Sequence, residues 1–316
     1  MSAIFLWGTG LRGLAEETSP EVLSRSTLST AAFDLSELAP WFAFSIVKEG
    51  PKSRCWVSSR PAKEHPPLII TGNCSSSLDL AWHFYRLDIL SVWGSVLPLS
   101  QWAGRGQFGR RWLSPPGNIY AAWRLPNPPR PWGDMLSLLV GYMIIQGLKS
   151  AGISVRLKWP NDLVLDRKKV GGILIEAKRE AIMAGVGINL SSSPQKDQLD
   201  DPLALSPTSL KAARGCSAKA LDLWIRLVKT GQAIYQQIID CGSPQRFVAD
   251  LEPHLAFMGE EVAIDDYRQA SLYQAKTIGL DSRSGGLLIQ VAGRERIIHS
   301  GKIYPLSSGQ RFKTDE

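Results

Sequence analysis

The chain has 316 residues, 44% of them hydrophobic and 21% charged. This fits a globular protein of about two domains and excludes collagen-like, coiled-coil and wholly disordered classes. Its cysteines, Cys55, Cys74, Cys216 and Cys241, make no CxxC pair, so neither a zinc site nor a disulfide framework is expected, and a reducing cytoplasm is the default compartment. The net charge of +7 is local: residues 1–66 are neutral, 67–246 carry +9 and 247–316 carry −2, which suits an anionic small molecule or an acidic partner rather than a basic tail for nucleic acid.

Residues 1–66 are rich in Ser, Thr and Pro and show no sustained periodicity. They read as an amino-terminal extension of unassigned role, with a short element at Trp41 to Val47 and a linker at Lys63 to Pro67. No helix-turn-helix pattern is evident, and no basic region precedes the apolar run at the amino end. No DNA and no signal peptide are therefore expected. The longest mostly apolar stretch, Met135 to Leu148, has 14 residues, short of the roughly 20 a membrane span needs, so no membrane is expected either.

Across 67–246 strands and helices alternate. Leu68–Thr71 predicts a strand. Ser76 or Ser77 caps a helix running through Asp79–Tyr85, since a hydroxyl there accepts the first orphan amides. Strands follow at Ser91–Leu97 and Asn118–Arg124. Met135–Ala151 predicts a helix apolar round most of its surface, hence buried, and ended by Gly152. Further strands are expected at Val155–Trp159, Leu163–Leu165, Val170–Glu176 and Ala184–Leu190, then a helix at Ala218–Ile239. Beyond 247, short strands at Glu261–Ile264, Ala275–Leu280, Leu287–Val291 and Glu295–His299 are separated by turn signals such as Ser284-Gly285-Gly286. That spacing suggests a small β-barrel after an α+β body.

Three stretches carry candidate chemistry. Ala103 to Gly117 reads AGRGQFGRRWLSPPG. It contains GxGxxG, but a dinucleotide-binding loop must open a helix, and Trp-Leu-Ser-Pro-Pro-Gly is a poor one. Glycines interleaved with arginines suggest a loop that folds over a phosphate. Glycine lets backbone amides approach, and arginine supplies a charged fork of donors. A solvated basic turn explains this loop alone equally well. The second stretch is RLKWPND (Arg156 to Asp162), followed by KVGG (Lys169 to Gly172). Pro160 cannot donate to a ladder, which leaves Asn161 and Asp162 at a strand's mouth, with Lys169 starting the next strand. Alone, this is a charged hairpin. The third, GVGIN (Gly185 to Asn189), is alone a closely packed core strand.

Together, and in this order, these stretches resemble the biotin protein ligase family. Its pattern is GRGRxGRxW, KWPND, K-[LV]-x-G and G-[IV]-G-[IV]-N. Ser76-Ser77-Leu78-Asp79 stands where that family has S-T-x-D or S-T-N, and Gln101 precedes the loop as the family's glutamine does. Pro207-Thr208-Ser209-Leu210 resembles its A-T-S-L element. The resemblance covers about residues 68–306, and the RRxxGGGxVxHD signature of the related lipoate ligases is absent. It implies an α+β protein: a biotin/lipoate ligase-like catalytic domain at 67–246, a mixed sheet with helices, followed by a small SH3-like β-barrel at 247–316.

The resemblance also implies an activity. Biotin would be activated by ATP to biotinyl-5′-AMP and passed to a lysine of a biotin carboxyl carrier protein domain. Ser76, Ser77 and Gln101 would contact the biotin ring, since hydroxyl and amide groups suit its ureido group. Leu78, Gly104, Gly106, Gln107, Gly171 and Gly172 complete the implied biotin site. Arg105 and Lys169 would flank the carboxylate and the α-phosphate. Arg110, Trp112, Lys158, Asn161, Asp162 and Asn189 would meet ATP. Lys169, Arg105 and Asp162 are the implied catalytic set, with Asp162 helping to deprotonate the acceptor lysine. No resident metal is implied: Mg2+ would arrive on ATP, with Asp162 as its candidate contact. The family includes monomers and homodimers, so a homodimer stays open. Gln107 and Phe108 replace residues that are basic in the family pattern, and the last strand, Lys302 to Leu306, lacks an arginine often seen at its end. Two alternatives therefore stand beside the ligase: a catalytically weakened biotin-binding paralogue, and a lipoyl or other acyl transferase on the same fold.

Overall fold

The structure is a computed structural model and describes residues 3–25, 33, 38–46, 53–58, 66–178, 180–267 and 271–306. Residues 63–65 of the expected linker and Val47 lie outside the described residues. The chain forms two units interleaved in sequence, one of residues 1–127, 170–194 and 208–232, the other of 128–169, 195–207 and 233–316. Ile4–Trp7 of the amino-terminal segment pairs directly with the sheet that follows.

In the first unit, β1 (Ile4–Trp7), β2 (Trp41–Ile46), β3 (Ser53–Ser58), β4 (Leu68–Cys74), β5 (Ser95–Gln101) and β6 (Ile119–Leu125) belong to a mixed sheet ordered β2-β3-β1-β4-β5-β6. Beyond β6 it continues with the antiparallel pair β10 (Ala181–Ile188) and β9 (Lys168–Lys178). β1 runs parallel to β4, Ile4 opposite Leu68 and Trp7 opposite Thr71, and antiparallel to β3. The amino-terminal segment therefore extends the sheet. The strand expected at Ser91–Leu97 begins only at Ser95. Trp93 takes a left-handed φ of 67° and Gly94 closes a turn onto Ser91. Pro98 is tolerated inside β5 because the register with β6 covers only Ser95 and Val96.

Helix Ser77–Arg86 covers one face of this sheet. Leu78, Ala81 and Trp82 recur at helical spacing, and with Phe84 they join Trp7, Ile69, Val96, Ala122 and Met183 in one core. The Trp7 and Phe84 rings lie 4.7 Å apart.

The second unit contains helix Leu136–Ser150, entered through a short turn at Trp132–Met135. Gly152, at φ 78°, follows its end as expected. Gly141 is what lets this helix approach the hairpin of β7 (Arg156–Lys158) and β8 (Asp162–Leu165): a Cβ there would lie 2.8 Å from Leu157 Cδ1. Helix Ala220–Cys241 begins in the first unit and ends in the second. Helix Pro244–Leu251 follows. The chain then builds a five-stranded antiparallel sheet from β11 (Glu261–Asp266), β12 (Ser271–Leu280), β13 (Leu287–Val291), β14 (Arg294–Ile298) and β15 (Gly301–Pro305), ordered β14-β13-β12-β11-β15. This is the small carboxy-terminal β-structure of SH3-like kind that the spacing and the resemblance anticipated.

Candidate active site

In the first unit the glycine–arginine stretch is a folded-back finger. Trp112 N–H donates to Gly104 O at 2.8 Å, Gly106 N–H donates to Arg110 O at 2.8 Å, and Arg105 bridges Arg111. The tip is a single turn, Gln107–Gly109, in which Phe108 and Gly109 adopt φ of 58° and 72°. No helix follows, which agrees with setting aside the dinucleotide-binding reading. Phe108 is 71% exposed, and Gln107 and Arg110 are half-buried. Gly104 is required where it stands: a Cβ would lie 2.5 Å from Trp112 O.

The root of the finger is tied to the amino end of helix Ser77–Arg86. Ser76 caps that helix, its Oγ accepting from Leu78 N–H. Gln101 accepts from Ser77 N–H at 2.7 Å and donates to Ser114 Oγ at 2.9 Å. Its amide therefore spans cap and finger. Ser75 is a second tie. Its N–H donates to Leu14 O, its carbonyl accepts from Ala103 N–H, and its hydroxyl donates to Asp79. The amino-terminal segment thus reaches the base of the candidate site through Leu14.

Arg105 points back into the unit. Its Nη1 donates to Asp79 at 2.8 Å, while Nε and Nη2 both donate to Glu176 Oε1, at 3.2 and 3.0 Å. Glu176 in turn accepts from Trp82 Nε1 at 2.6 Å and meets the Lys178 ammonium. Partial burial opposes the arginine's charge, yet its two carboxylate partners raise its pKa. Burial likewise works against Glu176, but Trp82 and Arg105 hold its pKa below the usual range. The cluster is thus fixed in its charged form. Neither Asp79 as a clamp nor Glu176 was singled out from the sequence. An arginine expected near a substrate needs such anchors, but their spacing of 26 and 71 residues from Arg105 leaves no local signal.

β10 explains its own motif. Val186 and Ile188 point into the core, 2% and 0% exposed. On the opposite face, Gly185 receives Leu78 and Gly187 receives Trp112: added Cβ atoms would lie 2.9 Å from Leu78 Cδ1 and 2.7 Å from the indole. Gly172 stands directly across from Gly187, and Gly171 across from Ile188. The alternation glycine–apolar–glycine–apolar leaves room on one face of the sheet for the Leu78 and Trp112 side chains. Asn189 is 3% exposed and donates to Thr208 O at 3.1 Å, so its amide N–H serves the fold.

The second unit holds the other charged group. Lys158 on β7 faces Asp162 on β8 in register. Its ammonium is 2.9 Å from one carboxylate oxygen, while Lys169 is 2.5 Å from the other. Asn161 N–H closes the intervening turn onto Lys158 O. Burial alone would raise the Asp162 pKa, but the two lysines push it far below the usual carboxylate range. A carboxylate held in its ionised form by two ammonium groups is a weak proton acceptor. Both Asp162 oxygens face ammonium groups. The described residues contain no group of three His, Cys, Asp or Glu side chains that fits a metal ion.

Residues 74–192 match the model of the biotin/lipoate A/B protein ligase family. The bifunctional ligase/repressor BirA of Bacillus spizizenii is 38% identical over 128 residues, 38% of this chain and 39% of that protein. The biotin--[acetyl-CoA-carboxylase] ligase of Paracoccus denitrificans is 36% identical over 138 residues, 40% of this chain and 55% of that one. Residues 74–192 of this chain are thus similar to the biotin/lipoate ligase family. The match spans only about two-fifths of the first relative's length and about half of the second's. The fold extends further. A biotin protein ligase from Aquifex aeolicus in complex with biotin and ATP aligns over 75% of this chain and 97% of its own, with a TM-score of 0.62 and 24% identity, which shows the fold of this ligase family.

Proposed function

We propose that the protein activates biotin with ATP and transfers the biotinyl group to a lysine of a biotin carboxyl carrier domain. In the first step a carboxylate oxygen of biotin attacks the α-phosphorus of ATP, and pyrophosphate leaves. In the second, the lysine amine attacks the acyl carbon, and AMP leaves.

The observation that carries this reading is a cation fixed before the reaction: in the second unit Lys169 is seated on Asp162 at 2.5 Å, and in the first Arg105 is likewise gripped by Asp79 and Glu176. Two unit charges about 4 Å apart at an effective dielectric of about 20 repel by about 4 kcal/mol. Cations whose positions are set before the reaction offset that repulsion without reorganising. The family resemblance assigns Arg105 to the biotin carboxylate and Lys169 to the α-phosphate oxygens. The glycines of β10 would seat the Trp112 indole, against which the nucleotide would lie. The finger's Phe108 tip would help shield the mixed anhydride from water. Magnesium, when bound to ATP, supplies neutralisation of the phosphates, and no residue of this chain is assigned to it. A free lysine is less than ~0.1% neutral at pH 7. For the transfer step the chain's contribution is to hold the adenylate with AMP as a good leaving group, rather than to supply a base at Asp162.

Other features support the reading. In the described part of residues 1–66, β1 extends the sheet of the first unit by pairing with β4. Cys55, Cys74 and Cys216 are free thiols, consistent with a cytoplasmic location, and no described helix is long and apolar enough to cross a membrane. The test is direct: incubate the protein with ATP, Mg2+, labelled biotin and a carrier domain. Labelled carrier is expected. Biotin binding without labelling, or labelling by lipoate or octanoate instead, would contradict it.

A further inference from the structure

A charged cluster outside the candidate site lies on the last strand of the carboxy-terminal sheet. Lys302 and Tyr304 sit two residues apart on β15, hence on one face. Both reach the same oxygen of Asp201: Lys302 Nζ at 2.6 Å and Tyr304 Oη at 2.9 Å. The other Asp201 oxygen accepts from Leu203 N–H at 3.1 Å. Lys302 and Asp201 are only 14% and 19% exposed, and Asp265 stands across from Lys302 on β11. A half-buried pair with an added hydroxyl donor is far more restrictive than an exposed one.

Asp201 belongs to segment 195–207, whose end is fixed at a second point. Ser206 O accepts the backbone N–H of Lys169 at 2.9 Å, and Lys169 bridges Pro207 in parallel. The segment is thus held at Asp201 by β15 and, a few residues on, itself holds the first residues of β9. Lys169 sends its side chain to Asp162 from that point.

We propose that Asp201 is a positioning residue: clamped by Lys302 and Tyr304, it fixes segment 195–207 so that Ser206 captures the Lys169 amide and keeps the Lys169 ammonium on Asp162. Its effect on the reaction rests on the ligase reading, but the mechanical link does not.

The test compares the full-length wild type with D201N, K302M, the double variant and the milder Y304F. Hydrogen exchange of the Lys169 amide is read without ligands, and adenylate formation is read as kcat and KM. D201N and K302M are each expected to speed Lys169 exchange by ~10-fold or more, with the double variant no worse than either single, because one interaction is lost. Amides of β13 should keep their protection. The kcat for adenylate formation should fall ~10-fold while KM for biotin stays within about twofold. Y304F removes one hydrogen bond and should give a smaller change in the same direction. It also carries the test if D201N fails to fold. Unchanged Lys169 exchange in folded variants, additive losses in the double variant, or faster exchange with undiminished kcat would each overturn the proposal. A wild type that makes no adenylate would instead overturn the ligase reading, leaving the exchange result to judge the clamp.

Discussion

Trp112 occupies the space that a side chain at Gly187 would need, since a Cβ there would lie 2.7 Å from indole Cε2 and Cζ2. In Gly187→Ala the methyl group must displace the indole, and overpacking of this kind costs about 1–3 kcal/mol. With Trp112 beside the nucleotide, ATP affinity should fall ~10-fold while biotin affinity stays within about twofold. Calorimetric titration of each ligand checks this, and unaltered ATP binding would separate Trp112 from the nucleotide site.

Glu176 gives a pH signature. Its pKa is lowered in the folded protein, so its contribution to stability is full above the ordinary carboxylate value of about 4.3 and is lost as pH falls through the lower folded-state value. Wild type should therefore melt above Glu176→Gln at pH 7, and the gap should be smaller at pH 3. A gap of the same size at both pH values would mean that the Arg105–Glu176 pairing is not its source.

Asp162 sits between two ammonium groups, one of which, on Lys158, is 6% exposed. Removing the carboxylate leaves that charge buried without its partner, which typically costs about 3–5 kcal/mol. Urea unfolding of Asp162→Asn should reveal a loss of this order, and adding Lys158→Met should recover part of it. No recovery in the double variant would argue against uncompensated charge as the cause.

Much of this arrangement was legible before any coordinates. Motifs whose reason is local, such as the cap at Ser76 and the helix stop at Gly152, have that reason within a few residues of themselves. Relationships across the fold were not legible. Nothing near Arg105 announces Glu176, and nothing near Asp162 announces that both of its oxygens face lysines, which is why it looked like a base. In 1–66 the short element expected at Trp41 to Val47 is β2, whereas β1, only four residues long, offers too few positions to establish a period.

Gln107 stands half-buried at the finger's turn, where the family pattern carries arginine. Restoring the cation in Gln107→Arg should lengthen the adenylate's lifetime and tighten biotin binding ~10-fold, about the 1.4 kcal/mol of one added charge-assisted contact. Release of adenylate, followed by rapid filtration, measures this directly. Equal lifetimes would show that the finger's charge at this position does not govern retention.

The central claim is that Lys169 holds two repelling anions together, and biotin-dependent exchange of labelled pyrophosphate into ATP, run without any carrier domain, tests it most directly. Wild type should exchange label only when biotin is present. Lys169→Ala, with its fold verified by melting, should lose that exchange by ~100-fold or more. Exchange by this variant at the wild-type rate would contradict the account.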